Sequence, residues 1–401
     1  MASLPLKIAT GVVVTVLAAA AVLSSLSAIV RGNALTVALR TGWASGRVYE
    51  MRADLAYWTS PANPPWRDID SLSRAALRKA PLSPRALSLI GYSREAHGEK
   101  SRVRHTFWLS QRLSRRDIAS QVWLSNQAAL AGDAKAALSH FNIALTTKPE
   151  SSAILFPVLA KALATSEIQQ EFGATVRARP EWLAGALIYL AGNTADPQDV
   201  ARAIALAGGL PATDEYQQAE GILLSQLAAR SGPAAARNFY LTLHGAEKSV
   251  PVSLSFTKAS VDPLRQPMTW QLSSTSNLAA NIVSEGRETA YALNGSATPQ
   301  TSGVLASKLL FLSPGSYRLR ARTELSGDRP ALQGVLNCMQ EASPVEVWRR
   351  PLVAGTAVQS VFVPANCPVQ RFELILRNDS GEQQADLQVF SLSLESDAPR
   401  P

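Results

Sequence analysis

The chain has 401 residues and a formal net charge of +8. The whole excess lies between Arg67 and Arg116, where 12 basic side chains stand against four acidic ones, whereas residues 252–401 carry 13 of each. Such a basic block attracts an acidic polysaccharide, anionic lipid headgroups or an acidic protein, and a solvated helix surface is the simpler alternative. Because no signature of a nucleic-acid-binding module accompanies the block, nucleic acid is excluded as a predicted partner.

An uncharged apolar stretch, residues 8–30, follows Lys7 near the amino terminus. At about 1.5 Å per residue it is long enough to cross a bilayer, so residues 1–31 are predicted to be an N-terminal transmembrane anchor. A cleaved signal sequence is the alternative, since Ser25 and Ser27 offer small residues near a cleavage point. The anchor predicts a single-pass inner-membrane protein with most of its chain in the periplasm. The arginines that follow the stretch oppose this orientation, because positive charge favours the cytoplasmic side.

Two 34-residue segments, residues 84–117 and 118–151, align without a gap. The alignment pairs Ile90 with Leu124, Gly98 with Gly132, and Phe107 with Phe141. In the second segment, Ala137 and Ala144 are small enough to let two helices approach, and Pro149 ends the second helix because it has no amide proton to donate. The pattern resembles the tetratricopeptide repeat (TPR), which implies pairs of antiparallel helices that stack into a solenoid and bind partners.

Helical spacing continues on both sides of these segments and predicts a TPR-like helical repeat domain over residues 43–246. Residues 50–83 form a degenerate first copy, and alanine- and leucine-rich helices are predicted after residue 151. The resemblance to the repeat implies that the first helix of each pair lines a concave groove. The candidate groove residues are Arg85, Ser88, Tyr92, Glu95, Asn126 and Leu130. In the alternative interpretation each of them is a plain surface residue.

The pattern changes after Pro251, where short runs alternate apolar and polar residues between turn signals. In the clearest run, residues 317–325, apolar side chains point one way and three arginines the other. Further runs of this kind predict an antiparallel β-sandwich over residues 252–396. An opening strand that carries Trp270 and a turn at residues 312–317 resemble the jelly-roll carbohydrate-binding modules. The predicted fold class is therefore multidomain, α then β: a transmembrane helix, a TPR-like α-solenoid and a C-terminal jelly-roll sandwich.

Four side chains of the predicted sandwich form a candidate glycan face. Trp348 is out of phase with the two valines before it and is predicted to be exposed, where its ring can stack on a sugar. Arg318, Arg320 and Arg322 form a ladder on one strand, and a guanidinium pairs bidentately with carboxylates or phosphates. A contact that hides Trp348 against the helical domain and a solvated sheet face under the arginines are the alternatives.

The chain has only two cysteines, Cys338 and Cys367, both within the predicted sandwich and 29 residues apart. An even number confined to one domain favours a disulfide in an oxidising compartment such as a periplasm. Two buried thiols are the alternative, because free cysteine is among the most buried residue types.

The sequence offers little for catalysis, and no catalytic residue, cofactor site or metal site is predicted. The four histidines, His97, His105, His140 and His244, show no metal-ligand spacing, and the cysteines do not form a Cys-x-x-Cys pair. No phosphate-binding loop, nucleophile elbow or dinucleotide fingerprint occurs. Acidic residues that a glycosidase would need are present but cannot be ranked from the sequence. The chain is therefore predicted not to be an enzyme.

A wider resemblance is carried by residues 76–83, 86–87, 112–117, 132–149 and 155–160. Over residues 43–190 these segments resemble a group of membrane-anchored TPR-like proteins of alphaproteobacteria, a group without an assigned mechanism. The resemblance implies a setting in the cell envelope, in surface-polysaccharide (exopolysaccharide) synthesis or export.

The predicted function is a non-catalytic, membrane-anchored adaptor of the cell envelope. The solenoid is predicted to bind other envelope proteins, the sandwich to bind polysaccharide, and residues 8–30 to contact the membrane. A purely structural protein–protein adaptor that binds no sugar is the first alternative. A glycan-processing enzyme is the second.

Overall fold

The computed structural model describes residues 44–284, 291–339 and 343–397. The chain divides into two compact units, Met1–Leu155 and Phe156–Pro401. The first unit is helical in its described part, and the second contains further helices followed by two β-sheets.

The first unit is a stack of helices, as the repeat pattern predicts. The helices are α1 (Gly46–Thr59), α2 (Trp66–Lys79), α3 (Pro84–Ala96), α4 (Lys100–Leu113), α5 (Ile118–Leu130) and α6 (Ala134–Thr147). Consecutive helices pack as pairs, α1 with α2, α3 with α4 and α5 with α6. The two-copy alignment is visible in the turns, because Gly98 and Gly132 follow the first helix of their pairs with φ of 77° and 75°, which favours glycine.

Side-chain caps fix where these helices begin. Ser83 and Asp117 accept hydrogen bonds from the amides of Ala86 and Ser120 at the starts of α3 and α5. Asp133 does the same for α6. Each cap satisfies an amide that the helix itself leaves without a partner.

A ladder of aromatic rings runs through the interior of the first unit. Phe107 is fully buried, and its ring stacks on Trp123 at 4.4 Å between centroids and meets Tyr92 edge-on at 5.0 Å. Gly91 makes room for it, because a Cβ at that position would lie 2.7 Å from the Phe107 ring. The equivalent residue of the next copy, Phe141, is also buried.

The predicted single-pass inner-membrane location is contradicted. No helix of the described residues is long and apolar enough to cross a membrane. The longest of them, Asp214–Arg230 in the second unit, has 17 residues and begins with two acidic side chains. Residues 8–30, to which the anchor was assigned, lie outside the described part of the chain.

The helices of the second unit pack in a different order. Helix α7 (Ser152–Ala162) begins in the first unit and ends in the second, because the boundary between the units follows Leu155. It is followed by α8 (Ser166–Ala178), α9 (Leu183–Asn193), α10 (Pro197–Leu206), α11 (Asp214–Arg230) and α12 (Pro233–Tyr240). Helix α8 packs mainly on α10, and α9 packs mainly on α11, so each contacts its next-but-one neighbour more extensively than its next. Short 3₁₀ turns then connect α12 to the first strand.

Two five-stranded antiparallel sheets form the predicted sandwich. The strands are β1 (Gln271–Leu272), β2 (Leu278–Ser284), β3 (Tyr291–Ala297), β4 (Thr301–Leu310), β5 (Gly315–Ser326), β6 (Pro330–Cys338), β7 (Val345–Pro351), β8 (Gly355–Val363), β9 (Gln370–Asn378) and β10 (Ala385–Ser396). One sheet has the order β1-β4-β9-β6-β7 and is called the β9 sheet; the other has the order β2-β3-β10-β5-β8 and is called the β10 sheet.

The sandwich core lies between the inner faces of these sheets. On β5, Leu319 and Ala321 are buried, as the alternation predicts. Arg318, Arg320 and Arg322, which alternate with them, are exposed. Trp270 is buried against Phe372 and Phe256. Cys338 and Cys367 form a disulfide, with their Cα atoms 5.5 Å apart.

One cation is buried in this core. Lys308 on β4 is 1% exposed, and its Nζ donates to the carbonyl of Ser253 at 2.8 Å and lies 5.8 Å from the centroid of the Trp270 indole. Burial lowers the pKa of Lys308 to about 7, because the charged form loses its hydration. The lysine thereby ties the segment before the sandwich to the inner face of the β9 sheet.

An ion pair joins a helix of the second unit to the segment that precedes β1. The Arg265 guanidinium lies 3.2 Å from the carboxylate of Glu220 on α11, and both side chains are largely buried. Burial raises the pKa of Glu220, and the Arg265 charge opposes that shift. Gly221 permits the approach, since a Cβ there would lie 2.9 Å from the Leu264 carbonyl oxygen.

Candidate functional site

The outer face of the β10 sheet carries a polar trough of about 690 Å³. Four strands supply its lining in the order β2, β3, β10 and β5. The strands come from distant parts of the sequence, since β3 pairs with β2 on one side and with β10 on the other. We call this surface the sandwich trough.

Hydrogen-bonded register places four polar side chains in one row across the trough. Asn281 pairs with Asn294, Asn294 with Gln388, and Gln388 with Glu324. With strands about 4.8 Å apart, the row spans about 14 Å. A parallel row two residues along consists of Ala279, Ser296, Asp386 and Ser326.

The row is chemically suited to hydroxyl groups. Asparagine and glutamine amides both donate and accept hydrogen bonds, and a carboxylate accepts them. Within the part of the chain that the structure describes, the side chains of Asn281, Asn294 and Glu324 have no hydrogen-bond partner. Gln384 donates to Asp386 at 2.8 Å at one end of the trough. The amides and the carboxylate are therefore available to a ligand.

The floor of the trough rests on a close contact between the sheets. Gly295 lies between Asn294 and Ser296 and points inward, where a Cβ would lie 2.5 Å from the Leu305 side chain of β4. The absence of a side chain at this position lets Leu305 pack directly beneath the row. The row is thus supported by rigid backbone.

The predicted arginine ladder lies on the same outer face as the trough. Arg318 pairs with Asp397 at 3.0 Å, and Arg320 pairs with Glu395 at 3.5 Å. The Arg322 guanidinium lies over the ring of Phe390, 4.8 Å from its centroid. All three arginines are exposed on β5, on the side where Glu324 lines the trough.

The prediction that Trp348 is exposed is wrong. Trp348 is only 8% exposed, and its Nε1–H donates to the carbonyl of Ser360 at 3.1 Å. The reason is a bulge in β7: Trp348 pairs with Leu336 while Glu346 pairs with the next residue of β6, so Val347 is an extra residue. The extra residue turns the indole inward, and Trp348 offers no platform to a sugar.

The helices of the first unit form a second concave surface of about 500 Å³, which we call the helical groove. Its lining includes Tyr57 and Trp58 of α1, Ile154 of α7, and the cations Arg116 and Lys148. Trp58 and Ile154 are both 60% exposed. Apolar side chains that remain this exposed suit a partner surface, and the two cations beside them form no ion pair with any described residue.

Two of the predicted groove residues line this surface. Arg85 forms an ion pair with Asp54, and Tyr92 stacks on Tyr57 with ring centroids 5.9 Å apart. The Tyr92 hydroxyl donates to the carbonyl of Ala119 at 3.2 Å, and burial raises the pKa of Tyr92. Both side chains are therefore held in place by neighbouring helices.

The remaining predicted groove residues lie elsewhere. Ser88 is fully buried and donates to Asp117, so the prediction that it lies on the groove surface is wrong. Glu95 accepts a hydrogen bond from the Trp123 indole at 2.9 Å. Asn126 and Leu130 are exposed and are not part of the groove lining.

Residues 44–284, 291–339 and 343–397 contain no cluster of metal-ligating side chains. No group of three or more histidine, cysteine, aspartate or glutamate side chains there is arranged to hold a metal ion. His140 hydrogen-bonds to Gln121 at 2.9 Å, and burial lowers its pKa. Hydrogen-bonding, apolar and charged side chains line the two concave surfaces.

No family model matches the chain, and no curated protein matches it. Solved structures do: the sandwich resembles the β-sandwich fold of carbohydrate-binding modules. One such module of the β-sandwich superfamily is 11% identical, with a TM-score of 0.25, and the match covers 31% of this chain and 56% of that chain. This chain thus spans about half the length of that relative.

Two further modules match in the same way. A family 4 module is 8% identical, with a TM-score of 0.22, over 29% of this chain and 77% of that one. A family 61 module in complex with β-1,4-galactotriose is 13% identical, with a TM-score of 0.22, over 32% of this chain and 88% of that one.

Proposed function

We propose that this chain is a non-catalytic binding protein whose β10 sheet binds a glycan in the sandwich trough. The observation that carries the proposal is the in-register row of Asn281, Asn294, Gln388 and Glu324. Sugar hydroxyls both donate and accept, and amide and carboxylate side chains on adjacent strands match them in both roles. A rigid sheet holds these groups in place before the ligand arrives, which lowers the entropic cost of binding.

The trough binds rather than cleaves. A glycosidase places its two carboxyl groups on either side of the scissile bond. The carboxylates of the trough, Glu324 and Asp386, stand on adjacent strands of one sheet and point out of the same face. In this arrangement they accept hydrogen bonds from one side of a chain of sugars.

The helical groove supports a second activity of the same protein, the binding of a protein segment. The supporting observation is the exposure of Trp58 and Ile154 beside Arg116 and Lys148. Aliphatic and acidic side chains of a partner would fit this combination. With both surfaces occupied, the protein acts as an adaptor between a glycan and a protein.

Glycan binding is tested by calorimetric titration of the whole chain with a panel of soluble polysaccharides. Asn294→Ala is expected to weaken binding about fivefold, because one hydrogen bond between neutral groups is lost. Asn337→Ala is the matched control, since Asn337 lies half-exposed on β6 of the other sheet. Absence of binding, or equal affinity of Asn294→Ala and the unmodified chain, would refute the proposal.

Protein binding is tested by selection from a peptide library displayed on phage. The selected peptides are expected to combine aliphatic and acidic residues and to lose binding on Trp58→Ala. Leu130→Ala is the control, because Leu130 is 76% exposed on α5 and outside the groove lining. Peptides that bind both variants equally would place their site elsewhere and leave a glycan-binding protein without an adaptor role.

A further inference from the structure

We propose that the glycan of the sandwich trough contains acidic sugar residues and that Arg322 binds their carboxylate. This inference rests on the proposed glycan binding and names the class of sugar. Its starting point is the difference among the three arginines of β5.

Two arginines of the ladder already have carboxylate partners. Arg320 pairs with Glu395 of β10, and Arg318 pairs with Asp397, the residue that follows β10. Arg322 has no carboxylate within ion-pair distance in the described residues. The ladder therefore presents one uncompensated guanidinium, at the end nearest the trough.

A bulge in β10 orients this guanidinium. Thr323 pairs with Val389 and Arg322 with Ser391, so Phe390 is an extra residue and its ring lies under Arg322. The aromatic ring attracts the cation and restrains the planar guanidinium, whose N–H edges can still donate. A planar carboxylate can then accept two parallel hydrogen bonds from one edge.

The position of Arg322 relative to the trough gives the ligand its orientation. Arg322 and Glu324 point out of the same face of β5 two residues apart, which is about 6.8 Å. A hexuronate carries its carboxylate and its ring hydroxyls on different edges. With its hydroxyls donating to Glu324 and its carboxylate on Arg322, the sugar places each charge against a favourable partner.

The negative charge of the trough also favours this orientation of the uronate. Glu324 and Asp386 repel an anionic group placed directly in the trough. A carboxylate is accepted only beside it, on Arg322, so a uronate bound in the reverse orientation is disfavoured. Selectivity thus combines an attractive and a repulsive element.

The test uses three uronate polymers, polygalacturonate, alginate and polyglucuronate, each beside its carboxyl-reduced counterpart of the same linkage. The whole chain is expected to bind at least one uronate polymer about tenfold more tightly than its reduced form, the effect of one charge-assisted hydrogen-bonded pair. Arg322→Gln is expected to remove this preference, so that the uronate polymer and its reduced form bind with equal affinity. Arg322→Lys, which keeps the charge but not the planar fork, should lose most of the preference.

Arg318→Gln is the matched control, because Arg318 lies on the same strand and face but is already paired. If every reduced polymer binds as tightly as its uronate form, or if Arg318→Gln lowers the preference as much as Arg322→Gln, the inference is overturned. Glycan binding that still depends on Asn294 would then leave the proposed function intact. If no polymer of either kind binds, both proposals fail.

Discussion

The helical groove and the sandwich trough are both concave, but they are built from different side chains. The groove exposes Trp58 and Ile154 among cations, and its walls come from the first helices of the pairs, α1, α3 and α5, together with the start of α7. The trough has an amide and carboxylate row, supplied by strands that lie far apart in sequence. The groove therefore depends on packing between neighbours in the chain, whereas the trough depends on strand register.

The largest loss of stability is expected when the aromatic ladder is broken. This change tests whether the groove depends on packing between helices. Phe107→Ala removes a fully buried ring from between Trp123 and Tyr92, and we expect it to lower the free energy of unfolding by about 3–5 kcal/mol. Urea unfolding measures the loss. The neighbouring Trp108→Ala is the control, because Trp108 is largely exposed and its loss should cost under about 1 kcal/mol.

Peptide binding measured on the same variants sharpens the result. Tyr92 both lines the groove and contacts Phe107, so Phe107→Ala should weaken groove ligands. Glycan affinity of the folded variant should stay unchanged, since no residue of the aromatic ladder lines the trough. Equal weakening of peptide and glycan binding would show that the two surfaces are coupled.

Buried charge provides a second contrast between the two units. Asp117 in the first unit is surrounded by donors, among them Ser88, Ser110 at 3.1 Å and the amide of Ser120 at 3.0 Å. Lys308 in the sandwich donates to the single carbonyl of Ser253, and its pKa falls to about 7. Lys308 is therefore expected to make stability depend on pH near neutrality.

The sign of this pH dependence follows from the number of protons that the folded and unfolded chains bind. Between the folded pKa of about 7 and the unfolded value of 10.5, the unfolded chain holds the proton and the folded chain does not, so stability rises with pH. From pH 7 to pH 9.5 the gain amounts to about 3 kcal/mol. Below pH 7 both states are protonated, and Lys308 adds no further dependence.

Urea unfolding at the two pH values, with Lys308→Met as the comparison, measures this gain. The variant is expected to be more stable than the unmodified chain at pH 7 and to lack the rise between pH 7 and pH 9.5. A rise of the same size in Lys308→Met would assign it to other groups.

A smaller effect is expected where the helical stack relies on a missing side chain. Gly91→Ala places a Cβ 2.7 Å from the buried Phe107 ring, and the required shift should cost about 1–3 kcal/mol. Gly98→Ala meets open space but forces a positive φ on alanine, and about 1 kcal/mol is expected. Equal costs in urea unfolding would contradict the close packing at Gly91.

The same contrast explains what the sequence could predict. A 34-residue period is local information, so the helices and the turns at Gly98 and Gly132 follow from it. Ser88 did not, because its position in the repeat indicates a helix but not that its hydroxyl points at a buried Asp117. Periodicity thus gives the helical scaffold more reliably than the direction of each side chain.

In the sandwich, alternation predicts the face on which a side chain lies but not which strand lies beside it. Asn281, Asn294 and Gln388 become neighbours only through the order β2-β3-β10, which the sequence does not contain as a local pattern. A bulge also reverses the face on which the following side chains lie, since one extra residue in β7 buries Trp348. The arginines of β5 were placed correctly because their strand has no such interruption.

The smallest expected effects come from the ion pairs beside the two surfaces. Arg85→Gln removes the pair with Asp54, and Arg318→Gln removes the pair with Asp397; each should lower stability by less than about 1 kcal/mol, and by less still in 1 M salt. Both pairs are partly solvated, so neither holds its unit together. If urea unfolding shows these small losses while Arg85→Gln weakens peptide binding, Arg85 acts on the ligand of the groove. A loss above 2 kcal/mol from either variant would instead make that pair a structural element, and its surface would depend on charge as well as on packing or register.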